Sequence, residues 1–287
     1  MDKQDPKALI QDSLELFSLP DIYFQISEMI NDPRYTAVNM GQVISKDPAL
    51  SVRLLKIVNS SFYGFQARID TISRAISIVG IDDLKTLILG TSVIDKFNKI
   101  PDELVDMTDF WLRSVRCAVI AKLLARECSV LHSERLFLMG LLHDLGSLIL
   151  YYKLPDESLK VLLAADHDRR LVGGLELEIM GFTHADVGAA LIKSWGLPES
   201  LYESIAYYLS PEIAQVPRQD TYVLCLASRL SDRVQQDISI EEILQEFSDE
   251  ALSIISLDAE QVTKVLIQAD EEFSQVFELL APDKKFY

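Results

Sequence analysis

Apolar residues along this chain recur mostly at intervals of three and four, with few runs that alternate at every second position. That spacing is the signature of amphipathic helix rather than strand. Start and stop signals divide the pattern into segments. Asp47-Pro48 places a carboxylate at the N-cap and proline at the first helical position. Thr71 stands before ISRAISIVG, which ends at Gly80, a residue suited to the position after a helix. Thr108 precedes a long stretch from Asp109 to Glu127, and Ser133 precedes another reaching about Lys153. Thr183 opens HADVGAALIKSW and Pro198 opens ESLYESIAYYL. The expectation is about a dozen helices, no sheet of consequence and an all-α fold.

The helical pattern suggests three parts: a first helical lobe over residues 1–100, a second over 101–215 and a C-terminal helical extension over 216–287. The first division falls near Lys99-Ile100-Pro101, and Ser210 to Asp220, with Pro211 and Pro217, reads as a connection. No 34- or 40-residue repeat is evident. In the last part, Val262, Leu266, Ala269, Phe273, Val276 and Leu280 follow a 4-3-4-3-4 spacing. Such a seam docks a terminal helix on its own domain or joins two chains, and fewer than three heptads is short for a coiled coil.

Composition narrows the classes. With 49% apolar and 25% charged residues the chain can bury a sizeable core. The 27 Lys and Arg against 44 Asp and Glu give −17, which disfavours binding to nucleic acid or an anionic membrane. The charge is uneven. Asp232 to Tyr287 holds fourteen acids and four bases, whereas Lys46 to Lys96 holds seven bases and five acids. The N-terminal MDKQDPKALIQ lacks the apolar run of a signal peptide. The most apolar window, Leu136 to Tyr152, is broken by His143 and Asp144 and is too short to span a bilayer. Cys117, Cys128 and Cys225 show no metal or redox spacing. The first two, on one straight helix, would lie roughly 16 Å apart, too far for a disulfide. A cytoplasmic protein is expected.

Two stretches resemble the HDOD family, bacterial proteins associated with signal transduction. ISKDPALSVRLLKIVNSSFYGFQARIDTISRAISIVGIDDLKTLILG, Ile44 to Gly90, is similar to the family's first pattern. FWLRS (Phe110 to Ser114), LMGLLHDLGSL (Leu138 to Leu148) and THADVGAALIKSWGLP (Thr183 to Pro198) are similar to its second. The resemblance runs from about Leu19 to Leu209. It implies a first helical lobe packed on a lobe related to the HD phosphohydrolases and HD-GYP phosphodiesterases. Those enzymes hold metals with His and Asp from several helices, so that a bound ion acidifies water and steadies phosphoryl charge.

Carried over by position, His143 and Asp144 match the namesake pair, and His184 matches a later ligand histidine. The other positions depart from the enzyme pattern. Arg113 stands where a first histidine would fall, Tyr207 and Tyr208 replace a His-His pair, and Ser228 lies where a last aspartate is expected. A guanidinium about 4 Å from a divalent ion would cost roughly 8 kcal/mol at an effective dielectric of 20. The metal positions His143, Asp144 and His184 therefore read as vestigial, with no metal or cofactor expected. Arg113 is the candidate to fill the site, with Asp144 as its counter-ion.

His184 itself suits a surface or capping role, and His132 and His167 are given none. Gly140, His143, Gly146 and Ser147 fall on one helical face, where small residues admit a ligand or a closely packed helix. Asn59-Ser60-Ser61 and Tyr63-Gly64 end a helix and turn the chain. Arg53, Lys56, Arg68, Arg74 and Lys85 form a solvated face or receive an anionic partner. No phosphate-binding glycine loop or nucleophile triad is present.

The expected function is a non-catalytic regulatory module that binds another protein, with a homodimer as a further candidate. Its input and output are expected to lie on separate partners. Two alternatives remain: a metal-dependent phosphohydrolase or cyclic-dinucleotide phosphodiesterase with fewer ligands, and a nucleotide sensor without chemistry.

Overall fold

The computed structural model describes residues 5–11, 19, 21–60, 63–97, 104–215, 218–236 and 238–281, with the side chains of 234–236 left aside. Ser61, the Lys99-Ile100-Pro101 division and Pro217 lie outside the described residues. The described residues form helices and no strand. In chain order they are α1 (Pro6–Gln11), α2 (Asp21–Ile30), α3 (Ala37–Ile44), α4 (Pro48–Val58), α5 (Ile72–Val79), α6 (Ile81–Phe97), α7 (Met107–Glu127), α8 (Ser133–Leu142) and α9 (Leu145–Lys153). There follow α10 (Pro155–Ala165), α11 (Val172–Ile179), α12 (His184–Ser194), α13 (Glu199–Tyr207), α14 (Gln219–Gln236), α15 (Ile240–Gln245), α16 (Asp249–Ile255) and α17 (Ala259–Leu280). Two 3-10 turns, Arg169–Leu171 and Pro211–Ile213, join them.

The chain divides into two compact units, Met1–Leu16 with Ile100–Ala269 and Phe17–Lys99 with Asp270–Tyr287. In the second, α3 packs on α5, and α6 receives α2, α4 and α5. Local chemistry accounts for its turns. Asp47 caps Leu50 N at 3.0 Å, Thr71 caps Arg74 N, and Gly80 ends α5 at a φ of 97°. Asn59 ends α4 and clamps the returning chain. Its side chain accepts from Ile69 N and donates to Ile69 O, both at 2.7 Å. Arg53 pairs with Asp95 at 2.8 Å, and Lys85 lies 5.2 Å from the Tyr23 ring centre.

The other unit is built on α7, which packs against α8 and α14, while α12 packs against α9 and α13. Three of its elements differ from the sequence expectation. Helix α7 begins two residues early, because Asp106 rather than Thr108 supplies the cap, accepting from Thr108 N at 2.6 Å. The helix expected from Ser133 to Lys153 is two, broken at His143 and Asp144. Ser147 N bonds Asp144 O at 3.0 Å, a three-residue closure that starts α9.

The third difference is that α14, α15 and α16, expected in a C-terminal extension, belong to the unit built on α7. The apolar face of α14, with Val223, Leu226 and Leu230 buried, packs on α7 and α8, so these residues complete the helical core around α7. The division falls instead within α17. Along that helix the seam residues Val262, Ala269, Phe273, Val276 and Leu280 are buried and Leu266 is half-buried. Val265 and Phe277 are buried as well, so the stripe is wider than a coiled-coil seam and is covered by the chain itself.

Candidate functional site

The break between α8 and α9 sets His143 and Asp144 in the interior of the unit spanning Ile100–Ala269, 5% and 3% exposed. Small residues let the surrounding helices approach. A Cβ on Gly140 would lie 2.6 Å from Ala118 Cα of α7, and one on Gly146 would collide with the His184 carbonyl oxygen at the start of α12. The glycines thus serve helix packing and bring α7, α8, α9 and α12 to one point.

Asp144 is the centre of that point. Its Oδ2 meets Arg169 Nη2 at 2.7 Å, and its Oδ1 accepts from the Ser147 hydroxyl. Arg169 also reaches Asp232 of α14, Nε to Oδ1, at 3.5 Å. Arg113 of α7 stands further off, with Nη2 3.9 Å from Asp144 Oδ2. Asp144 therefore has Arg169 as its principal counter-ion, with Arg113 as an outer one. The expected order is reversed, because the turn at Arg169–Leu171 carries Arg169 directly onto the carboxylate.

His184 is not a surface residue. It is 4% exposed, and a capping box made by Thr183 and Asp186 fixes the first turn of α12 that carries it. Its backbone N–H donates to Glu176 Oε2 at 2.8 Å, and its Nδ1–H donates to the same oxygen at 2.6 Å. Its Nε2 is 2.6 Å from the Tyr208 hydroxyl. The ring lies behind the cap because Thr183 does the capping. His143 donates from Nδ1 to Gly140 O at 2.7 Å and meets the Tyr208 ring edge-on.

Burial and charge compete at each group. Burial opposes ionisation of Asp144, but the charges of Arg169, His184 and Arg113 hold it well below the usual carboxylate range. Burial also disfavours a charged His184, but Glu176 overcomes this and raises its pKa. Burial pushes His143 down to about 4, so that ring is neutral. Burial raises Asp232, against Arg169 and Arg113, which lower it. Arg113 is lowered first by burial and then by the neighbouring Arg169 charge. With His184 protonated, three cations, Arg113, Arg169 and His184, face three carboxylates, Asp144, Asp232 and Glu176.

A metal does not fit this donor set. One Asp144 oxygen is held by a guanidinium and the other by a hydroxyl. Both His184 nitrogens are engaged and Tyr208 replaces an imidazole. Among the described residues no group of three or more His, Cys, Asp or Glu is arranged to hold an ion. The structure brings together the expected His143, Asp144, His184 and Arg113. It adds Arg169, Asp232 and Glu176, which sequence reasoning passed over. Asp232 was within reach, since it follows Ser228 by one helical turn on α14. Arg169 carried no signal, because it follows two left-handed residues, Asp166 and His167, in a turn.

The model of the HDOD domain matches residues 16–211. The chain belongs to the HDOD family. Among solved structures, a suggested phosphohydrolase from Shewanella amazonensis SB2B is 25% identical, with a TM-score of 0.75 over 96% of this chain and 98% of that one. An HDOD domain protein with unknown function from Geobacter sulfurreducens is 23% identical, with a TM-score of 0.73 over 96% and 98%. A suggested signal transduction protein from Marinobacter aquaeolei VT8 is 22% identical, with a TM-score of 0.67 over 94% and 60%. An uncharacterised protein of Treponema pallidum (strain Nichols) is 29% identical over 66% of this chain, and the match spans 37% of that relative's length. The HDOD match thus covers most of this chain, including His143, Asp144 and His184. Among the described residues, no helix is long and apolar enough to cross a membrane.

Proposed function

We propose that this HDOD chain is a non-catalytic regulatory module that relays a signal through contact with another protein. The observation that carries this reading is the 2.7 Å pair between Arg169 and Asp144. In a metal-dependent phosphohydrolase the corresponding carboxylate must be free to bind an ion, whose charge then activates water. Here a fixed guanidinium takes that charge-balancing role, and it supplies neither an open coordination position nor an acidified water. The family relationship supports a place in signalling, and the acidic surface at −17 suits contact with a basic protein partner rather than nucleic acid.

The test is metal content and phosphodiester hydrolysis of the purified full chain, before and after incubation with iron and manganese. Substoichiometric metal in both samples and no product is the expected result. One or two equivalents per chain, with turnover lost in Asp144→Ala and His143→Ala, would overturn the proposal in favour of a phosphohydrolase. The name of the Shewanella amazonensis structure makes that the reading to test against. Crosslinking in cells of the source, followed by recovery of a stoichiometric protein partner, is the companion measurement.

A further inference from the structure

Arg113 is the least compensated charge in the network. Its side chain is 13% exposed. Its 3.9 Å contact to Asp144 is beyond hydrogen-bonding distance. Asp144 is already committed to Arg169 and Ser147. A guanidinium has five N–H donors in a rigid fork, and no Arg113 nitrogen is among the buried side-chain atoms that lack a partner, so its unused donors are open to solvent or a ligand. The donors face a cleft of about 660 Å3 within the unit spanning Ile100–Ala269, a size in the range of small-molecule sites.

The walls of this cleft are graded. Leu104, Val105, Leu159, Leu162 and Leu163 give it an apolar side, with Leu159 44% and Leu163 72% exposed. Its carboxylates are either occupied or at the mouth. Asp106 accepts from Thr108 N to cap α7, and Asp168 is held by Arg170 at 2.7 Å. Asp109 and Asp166 are exposed, where water weakens their field. Arg113 and Arg169 both line the cleft and are less exposed than Asp109 and Asp166, and the attraction for an anion is larger where there is less water.

We propose that this cleft binds a small organic anion, with its carboxylate or phosphate on Arg113 and its aliphatic body along Leu159, Leu162 and Leu163. The exposed Asp109 and Asp166 disfavour a second negative charge at the mouth, so the ligand carries one anionic head. The site gives the module an input of its own. The proposal rests on the non-catalytic reading only in that occupancy is sensed rather than turned over.

Octanoate and octyl phosphate are the probes, titrated calorimetrically into the full chain. Octanol tests the body without the head, and inorganic phosphate the head without the body. Saturable binding of one or both anions is expected, at least tenfold tighter than either control. The two anions compared with each other distinguish a carboxylate from a phosphate site. Arg113→Gln weakens binding tenfold or more. Leu163→Asp, at an exposed position that leaves the fold intact, does the same and serves if Arg113→Gln does not fold. Absence of saturable binding by both anions overturns the proposal, as does binding unchanged in a folded Arg113→Gln or in Leu163→Asp. Release of inorganic phosphate from octyl phosphate would instead overturn the non-catalytic reading and leave the site standing.

Discussion

The cations around Asp144 lie at different distances from it, and they differ in what their loss would cost. Arg169 is the sole hydrogen-bonding cation on Asp144 among the described residues, and both groups are largely removed from water. Arg169→Met leaves a buried carboxylate with Arg113 at 3.9 Å, and breaking one side of such a pair costs about 3–5 kcal/mol. Arg113→Met removes a more distant charge and is expected to cost less than half as much. Urea denaturation of the two variants checks that order, and an equal loss would contradict Arg169 as the principal counter-ion. His184 teaches the corresponding lesson about reading residues singly. A histidine in the first turn of a helix suits the surface until a neighbour takes over the cap. Thr183 does so here, and Glu176, eight residues upstream, then draws the ring inward.

Among the helices, the small residues decide how closely elements approach. Gly146 lies against the first turn of α12, where an added Cβ meets backbone rather than a side chain that could move. Gly146→Ala is expected to destabilise by at least 2 kcal/mol, as overpacking against backbone does. Gly174 of α11 has nothing within 4 Å of an added Cβ. Gly174→Ala is expected to stabilise by about 0.5–1 kcal/mol through helix propensity. Thermal unfolding of the two variants should therefore shift in opposite directions, and a shift in the same direction would refute this account of the α9–α12 approach.

Several helix ends with local caps were readable, although the cap of α7 fell at Asp106 rather than Thr108. Asp47-Pro48, Thr71 with Gly80, and Thr183 all bound helices as their residue types dictate. The break at His143 was not. Leu136 to Tyr152 keeps its apolar pattern across the interruption, and only the bonds of Asp144 to Ser147, and of its side chain to Arg169, end one helix and start the next.

For the whole molecule, the network makes stability depend on pH from both sides. His184, raised above its ordinary 6.5, contributes fully below that value and loses its contribution as pH rises through the folded pKa. His143, lowered to about 4, works in the opposite sense. The unfolded chain takes up its proton below about 6.5, so stability falls by about 3 kcal/mol between 6.5 and 4. Asp232, raised above 3.8 by burial, offsets part of that at the acid end. Asp144, depressed, adds a loss as pH falls below its ordinary 3.8. Urea midpoints across pH should peak near 6.5. His143→Gln should flatten the acid arm and His184→Gln the alkaline arm, and an unchanged profile in both would exclude these rings as its source.

By itself the sequence determined the all-α class, the family and the identity of His143, Asp144, His184 and Arg113 as one group. Apolar periodicity and capping act within a few residues of the chain, and the motif spacings are properties of the chain itself. Which cation sits on Asp144 was decided only by tertiary structure. So was the joining of 216–269 to the helices around α7, and the covering of the α17 seam by the chain's own residues. These depend on groups far apart in sequence, such as Arg169 and Asp232, meeting at one point. A buried charge selects its partner by distance and by what else that partner holds. Neither quantity exists until the helices have packed.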